Sequence, residues 1–123
     1  MIHDVDESLR ALAERDIING AGAEIAFDAP TKDWATRRNA PTLNFYLYEI
    51  REDLERRFAQ YEELRGEDGL VAERKLPPRR FKLSYLVTAW TQRPEDEHRL
   101  LSSVISCFIR FDALPVDILR GAV

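Results

Sequence analysis

At 123 residues, 45% of them hydrophobic and 33% charged, the chain is about one domain long and carries enough apolar side chain for a core, which excludes a disordered polymer. The net charge of −4 argues against a nucleic-acid surface, which needs clustered Lys and Arg, and no apolar run approaches the roughly 20 residues that span a bilayer. A single cysteine, Cys107, excludes an internal disulfide and a multi-cysteine zinc site; set in the apolar run 104–111, it reads as a small buried thiol.

Residues 1–10 are acidic and amphipathic, with no basic region leading into an apolar one, so no signal peptide is expected. Ile2, Val5, Leu9 and Leu12 recur at steps of three and four, which predicts one amphipathic helix over 2–18. Asn19-Gly20 and Gly22 stop it. Residues 24–28 alternate as a strand, and the proline-bounded stretch 30–41 reads as irregular and polar.

Residues 42–50 predict a strand, with Leu43, Phe45 and Leu47 on one face and Asn44, Tyr46 and Tyr48 on the other. Residues 51–80 hold eight charges of each sign, so this stretch is mixed in charge but neutral. Two readings stay open there: a polar helix over 52–64, or a long charged hairpin with its tip at Gly66-Glu67-Asp68-Gly69. The Asp-Gly tip favours the hairpin for the part nearest it, and Pro77-Pro78 ends the return arm. Residues 81–91 then read as the central strand, apolar on both faces towards their end and so covered on both sides. Pro94 opens a helix with Glu95, Asp96 and Glu97 in its first turn, where acids oppose the dipole. Leu100, Leu101, Val104, Ile105, Phe108 and Ile109 make that helix broadly apolar, hence buried. It stops near Leu114-Pro115. These elements predict an α+β fold, a sheet with helices packed on it.

Reactive groups do not converge in the sequence. His98 sits beside Glu95, but the two offer at most two metal ligands on one helix face, and His3 is remote from them. There is no Gly-x-Ser-x-Gly elbow, phosphate-binding loop or dinucleotide turn, and Ser102 and Ser103 have no base nearby in sequence. The pairs Arg37-Arg38 and Arg79-Arg80 lie among prolines and acids, which suits solvated or partner-facing positions. Trp34 and Trp90 suit core or interface anchors better than a ligand platform. The residues therefore point to a binding or assembly protein, with no enzyme activity, cofactor or metal.

The order of segments carries a resemblance. Phe27-Asp28-Ala29-Pro30 closes the first strand, and Asn39-Ala40-Pro41-Thr42-Leu43-Asn44-Phe45-Tyr46-Leu47-Tyr48 opens the next. Asp68-Gly69, Pro77-Pro78, Tyr85-Leu86-Val87-Thr88-Ala89-Trp90 and Asp96-Glu97-His98-Arg99-Leu100-Leu101 follow, and the block from Tyr85 to Leu101 is the most specific. In this order the chain resembles the N-terminal domain of the Pvc-type cap, or tail-terminator, proteins encoded with contractile injection systems related to phage tails.

The resemblance implies one domain over residues 1–123, a mostly antiparallel sheet with a projecting β-hairpin, packed by an N-terminal and a C-terminal helix. It implies a cytoplasmically assembled, six-membered ring that ends the inner tube of a phage tail-like particle and anchors the last sheath layer. The expected partners are other copies of the chain, the inner tube protein and the sheath protein, with no nucleic acid, membrane or cofactor. Arg37, Arg38, Arg51, Arg56, Arg57, Arg79 and Arg80 are the expected interface residues. A non-ring adaptor on the same kind of particle is the alternative. The chain departs from the pattern in two ways: residues 54–64 are longer and more charged than expected, and relatives continue past the last helix into further strands. A domain cut short at its C-terminal end is therefore expected.

Overall fold

The computed structural model describes residues 1–18, 20, 22–55 and 79–121. The predicted N-terminal helix is present over its full extent, in two windings. Helix α1 covers Ile2–Leu12, and Ala13–Ile18 continues it as a π-helical turn. The stripe faces inward, with Leu9 and Leu12 buried, and the wider turn brings Ala13, Ile17 and Ile18 into the core as well. Gly20 and Gly22 then adopt φ values of 84° and 75°, which end the helix because only glycine enters that region without strain.

Strand β1, Glu24–Ala26, pairs in parallel with the start of β2, Thr42–Glu52, placing Glu24 opposite Thr42 and Ala26 opposite Asn44. A parallel neighbour requires a crossover, which residues 27–41 supply. That stretch was expected to be irregular, yet it contains a short helix, α2, at Lys32–Thr36. The Thr31 hydroxyl caps α2 by accepting from the Trp34 N–H at 3.2 Å.

The chain divides into two compact units, Met1–Tyr46 with Leu86–Val123, and Leu47–Tyr85, and both β2 and β3, Phe81–Trp90, run from one into the other. In the first unit Thr42, Leu43, Asn44 and Phe45 are all buried, so β2 begins as a strand covered on both faces. Phe27 stacks on Phe45 with ring centroids 5.7 Å apart, and the Arg10 guanidinium lies 5.2 Å above Phe27 while donating to the Ile25 carbonyl. In the second unit, the Asp53 N–H donates to the Arg80 carbonyl at 2.7 Å, beyond the ends of the two strands. The expected hairpin tip lies outside the described residues, as does most of the alternative polar helix, of which residues 54–55 are helical.

The strand order β1-β2-β3 makes a three-stranded mixed sheet whose first pair is parallel. It corrects one expectation: β2 is central, and β3 lies at the edge of the described sheet. Towards the end of β3 the cover is uneven: Ala89 is buried and Val87 and Trp90 are half-buried, whereas Leu86 is 47% exposed, so that end is not covered throughout.

Pro94 opens the last helix, α3, at Pro94–Arg110, with its three acids in the first turn as expected. α3 packs on the π-helical turn and buries Val104 and Cys107. The expectation that these apolar residues are buried is corrected for three of them, since Ile105, Phe108 and Ile109 are 61%, 38% and 76% exposed. Its apolar residues form a stripe of about half the circumference, and the described residues cover only part of that stripe. After α3 a 3₁₀ turn at Val116–Ile118 returns to the first helix. The Arg120 N–H donates to Ser8 Oγ, which in turn donates to the Asp4 carbonyl at 2.8 Å, and Arg15 pairs with Asp117 at 2.6 Å.

Candidate partner-binding site

The crossover between β1 and β2 builds the most specific cluster of side chains in the first unit. Asn44 is fully buried, and its amide grips the backbone of Asp28: Oδ1 accepts from the Asp28 N–H at 3.1 Å and Nδ2 donates to the Asp28 carbonyl at 2.9 Å. The fixed Asp28 carboxylate then accepts from Trp34 Nε1 at 2.9 Å. This orients the Trp34 ring edge-on to Trp90, with centroids 5.6 Å apart at 81°. Trp90 is held by its own donor, Nε1 to Thr88 Oγ1 at 2.8 Å. The Arg38 guanidinium lies 4.7 Å over the Trp34 ring, a cation–π contact.

Arg38, Ala35, Asn39, Trp90, Thr91 and Gln92 line a hollow of about 160 Å³ beside the pair. That is below the roughly 300 Å³ at which small-molecule pockets begin, and it suits a single inserted side chain. Arg38 Nε is buried without a hydrogen-bond partner in the described structure. Tryptophan and arginine around a small hollow are the residue types that dominate protein interfaces. A second hollow, between the π-helical turn and α3, is lined by Ile17, Leu100 and Ser103 together with Asp96 and Arg99, which pair at 3.5 Å and so offset each other's charge. Among the described residues no group of three or more His, Cys, Asp and Glu is placed to hold a metal ion, and His3 and His98 are exposed.

The expected interface arginines that are described belong to both units. Arg37, at the end of α2, is exposed beside the tryptophan cluster that Arg38 joins. Arg51 and Arg79 are exposed in the second unit, Arg51 pairing with Glu49 at 2.7 Å, and Arg80 is half-buried there. Arg56 and Arg57 lie outside the described residues. Sequence reasoning missed Asp28 and Asn44 as the residues that orient Trp34. The available signal was a polar Asn in a strand position flanked by Leu43 and Phe45, where burial demands a partner.

The model of the Pvc16 N-terminal domain matches residues 4–122. The chain belongs to the Pvc16 N-terminal domain family. Its fold is similar to a solved structure titled as the PVC sheath/tube terminator, in the extended state, of an extracellular contractile injection system, with a TM-score of 0.64 at 22% identity. The likeness covers 98% of this Pvc16 N-terminal domain and 42% of that chain, so the present chain spans less than half the length of its structural relative. No curated protein matches the sequence. Within this Pvc16 N-terminal domain, the Asp28-Trp34 pair belongs to the Phe-Asp-x-Pro segment and the crossover that follows it, and Trp90 closes the strand block that is most specific in sequence.

Proposed function

We propose that this chain acts as a terminator of tube and sheath in a contractile injection system, through contacts and without bond-making chemistry. The observation that carries the reading is the fold match along 98% of the chain to the sheath/tube terminator of an extracellular contractile injection system, together with membership of the Pvc16 N-terminal domain family. In this reading the particle is assembled in the cytoplasm, and six copies close a ring on the last layer of the inner tube and anchor the last sheath layer. A tube grown by head-to-tail stacking presents the same acceptor face after each layer, and a protein that binds this face without renewing it ends growth. The ring contact is heterologous, one face of each copy meeting a different face of the next.

We assign the contact with neighbours to the Trp34–Trp90 cluster with Arg37 and Arg38, and to Arg51, Arg56, Arg57, Arg79 and Arg80. Charges of both signs around these arginines set register and exclude wrong partners. Deletion of the gene tests the reading. It should leave baseplates and subunits intact while tubes lose their uniform length and sheaths their anchorage. Particles of normal length, number and contractility would overturn it. Counting copies at the particle end separates the six-membered ring from an adaptor bound as isolated copies.

A further inference from the structure

Arg38 is held in place yet keeps hydrogen-bonding capacity that the described chain does not use. Its guanidinium lies 4.7 Å over the Trp34 ring, and Trp34 is itself fixed by Asp28, so the contact orients the group. An aromatic face attracts the cation but offers its N–H groups no oxygen. Nε is buried without a partner, and no carboxylate among the described residues pairs with Arg38. The acid of the cluster, Asp28, is committed to Trp34 Nε1 instead. Among the described residues Arg38 is also the one charged group in the wall of the hollow of about 160 Å³, where Asn39, Thr91 and Gln92 are uncharged. The Thr91 hydroxyl is already engaged, donating to the Arg93 carbonyl at 2.6 Å and accepting from the Arg93 N–H at 3.1 Å. Arg38 is therefore the donor that an occupant of the hollow would meet.

We infer that the hollow receives the carboxylate of one Asp or Glu side chain from a neighbouring protein subunit, with Arg38 as its ion-pair partner. The inference rests on the terminator reading for the neighbour, but the chemistry of the occupant follows from the hollow. The planar fork of a guanidinium matches the two oxygens of a carboxylate, and one positive charge balances one negative charge. A phosphate group, at about −1.5 to −2, exceeds what this single cation neutralises. An aliphatic side chain would bury the unpartnered Nε more deeply, and a basic one would oppose its charge. A carboxylate supplies the missing acceptor. With Trp90 and Pro41 beside it, the filled hollow excludes water, which strengthens the pair.

Two experiments test this. Propionate, the side-chain analogue of Glu, is titrated into the purified chain and followed by the indole N–H resonances of Trp34 and Trp90. A saturable shift is expected with propionate, and none with propionamide or with chloride at equal ionic strength. Arg38→Gln should weaken propionate binding about tenfold with an unchanged circular dichroism spectrum. Arg38→Lys keeps the charge without the fork and should bind with intermediate strength. No saturable shift in the wild type, equal or tighter binding of inorganic phosphate, or a response that Arg38→Gln leaves unaltered would overturn the inference and leave the terminator reading standing. The second experiment uses assembled particles carrying Arg38→Lys. A carbodiimide should join the introduced amine, through an amide bond, to an Asp or Glu side chain of another subunit, as located by mass spectrometry. A bond to a terminal carboxyl, a bond within the same copy, or no bond while the protein sits at the particle end would overturn the inference alone. Absence of the protein from particle ends would overturn the terminator reading, and with it the neighbour as the source of the carboxylate.

Discussion

Asn44 holds Asp28 by both groups of its peptide backbone, with hydrogen bonds of 3.1 and 2.9 Å made by one buried amide. The side chain thus acts as a rung where the three-residue β1 ladder has run out, and it fixes the carboxylate that orients Trp34. Asn44→Ala would leave a backbone donor and acceptor without partners, which costs about 2–4 kcal/mol. Asn44→Asp keeps the acceptor but places a carboxylate against a carbonyl, and should destabilise at least as much at neutral pH. Urea denaturation of both variants measures the order.

Trp34 and Trp90 should be coupled. Trp34→Phe keeps a ring against Trp90 and removes only the bond to Asp28, so a loss of about 1 kcal/mol is expected. A double-mutant cycle of Trp34→Ala and Trp90→Ala should return an interaction of about 1 kcal/mol. Because Trp90 is only partly buried, its own truncation should cost less than the roughly 3–5 kcal/mol of a fully enclosed ring.

Cys107 gives a pH-dependent prediction. Burial pushes its thiol up from the ordinary value, and the nearby Asp16 carboxylate adds to the effect, against opposition from Arg110 and Arg15. The folded state therefore keeps its proton at a pH where the unfolded state has lost it. The contribution to stability is constant below the ordinary thiol value and falls as pH climbs past it towards the folded-state value. Cys107→Ala should remove that part of the alkaline decline in urea titrations. Native Cys107 should react slowly with thiol reagents, and rapid stoichiometric labelling would contradict the burial described.

The C-terminal return passes close to α1 at Gly121. Gly121 adopts φ 64°, and a β-carbon there would collide with the Asp4 carboxylate. Gly121→Ala should cost about 1–3 kcal/mol and speed exchange of the Arg120 amide, which donates to Ser8. Ser8→Ala, which removes that acceptor, should reproduce the faster exchange without the backbone strain.

Much of this architecture could be read from residue order. The α1 stripe, the strands at 42–52 and 81–90 and the proline start of α3 follow local rules, because spacing and caps act within a few residues. The sheet order does not. Nothing in 81–91 distinguishes an apolar edge strand from a covered central one, since both present alternating large side chains. The same ambiguity holds for α3: apolar spacing names the faces that prefer to leave water, not the ones that the described residues cover. At the candidate site, Trp34 and Arg38 stood out by type. Their alignment depends on Asp28 and Asn44, sixteen residues apart, a pairing that local spacing does not encode.

The parallel sense of β1 and β2 has a mechanical consequence. Tension applied to the chain before Glu24 and after Glu52 pulls the two strands along their own axes in opposite directions. The three paired positions and the Asn44–Asp28 rung then yield in shear, together, whereas an antiparallel hairpin pulled from its open end unzips bond by bond. Resistance to stretching should therefore be concentrated in this short ladder, and Asn44→Ala should lower the unfolding force even where it leaves the sheet intact.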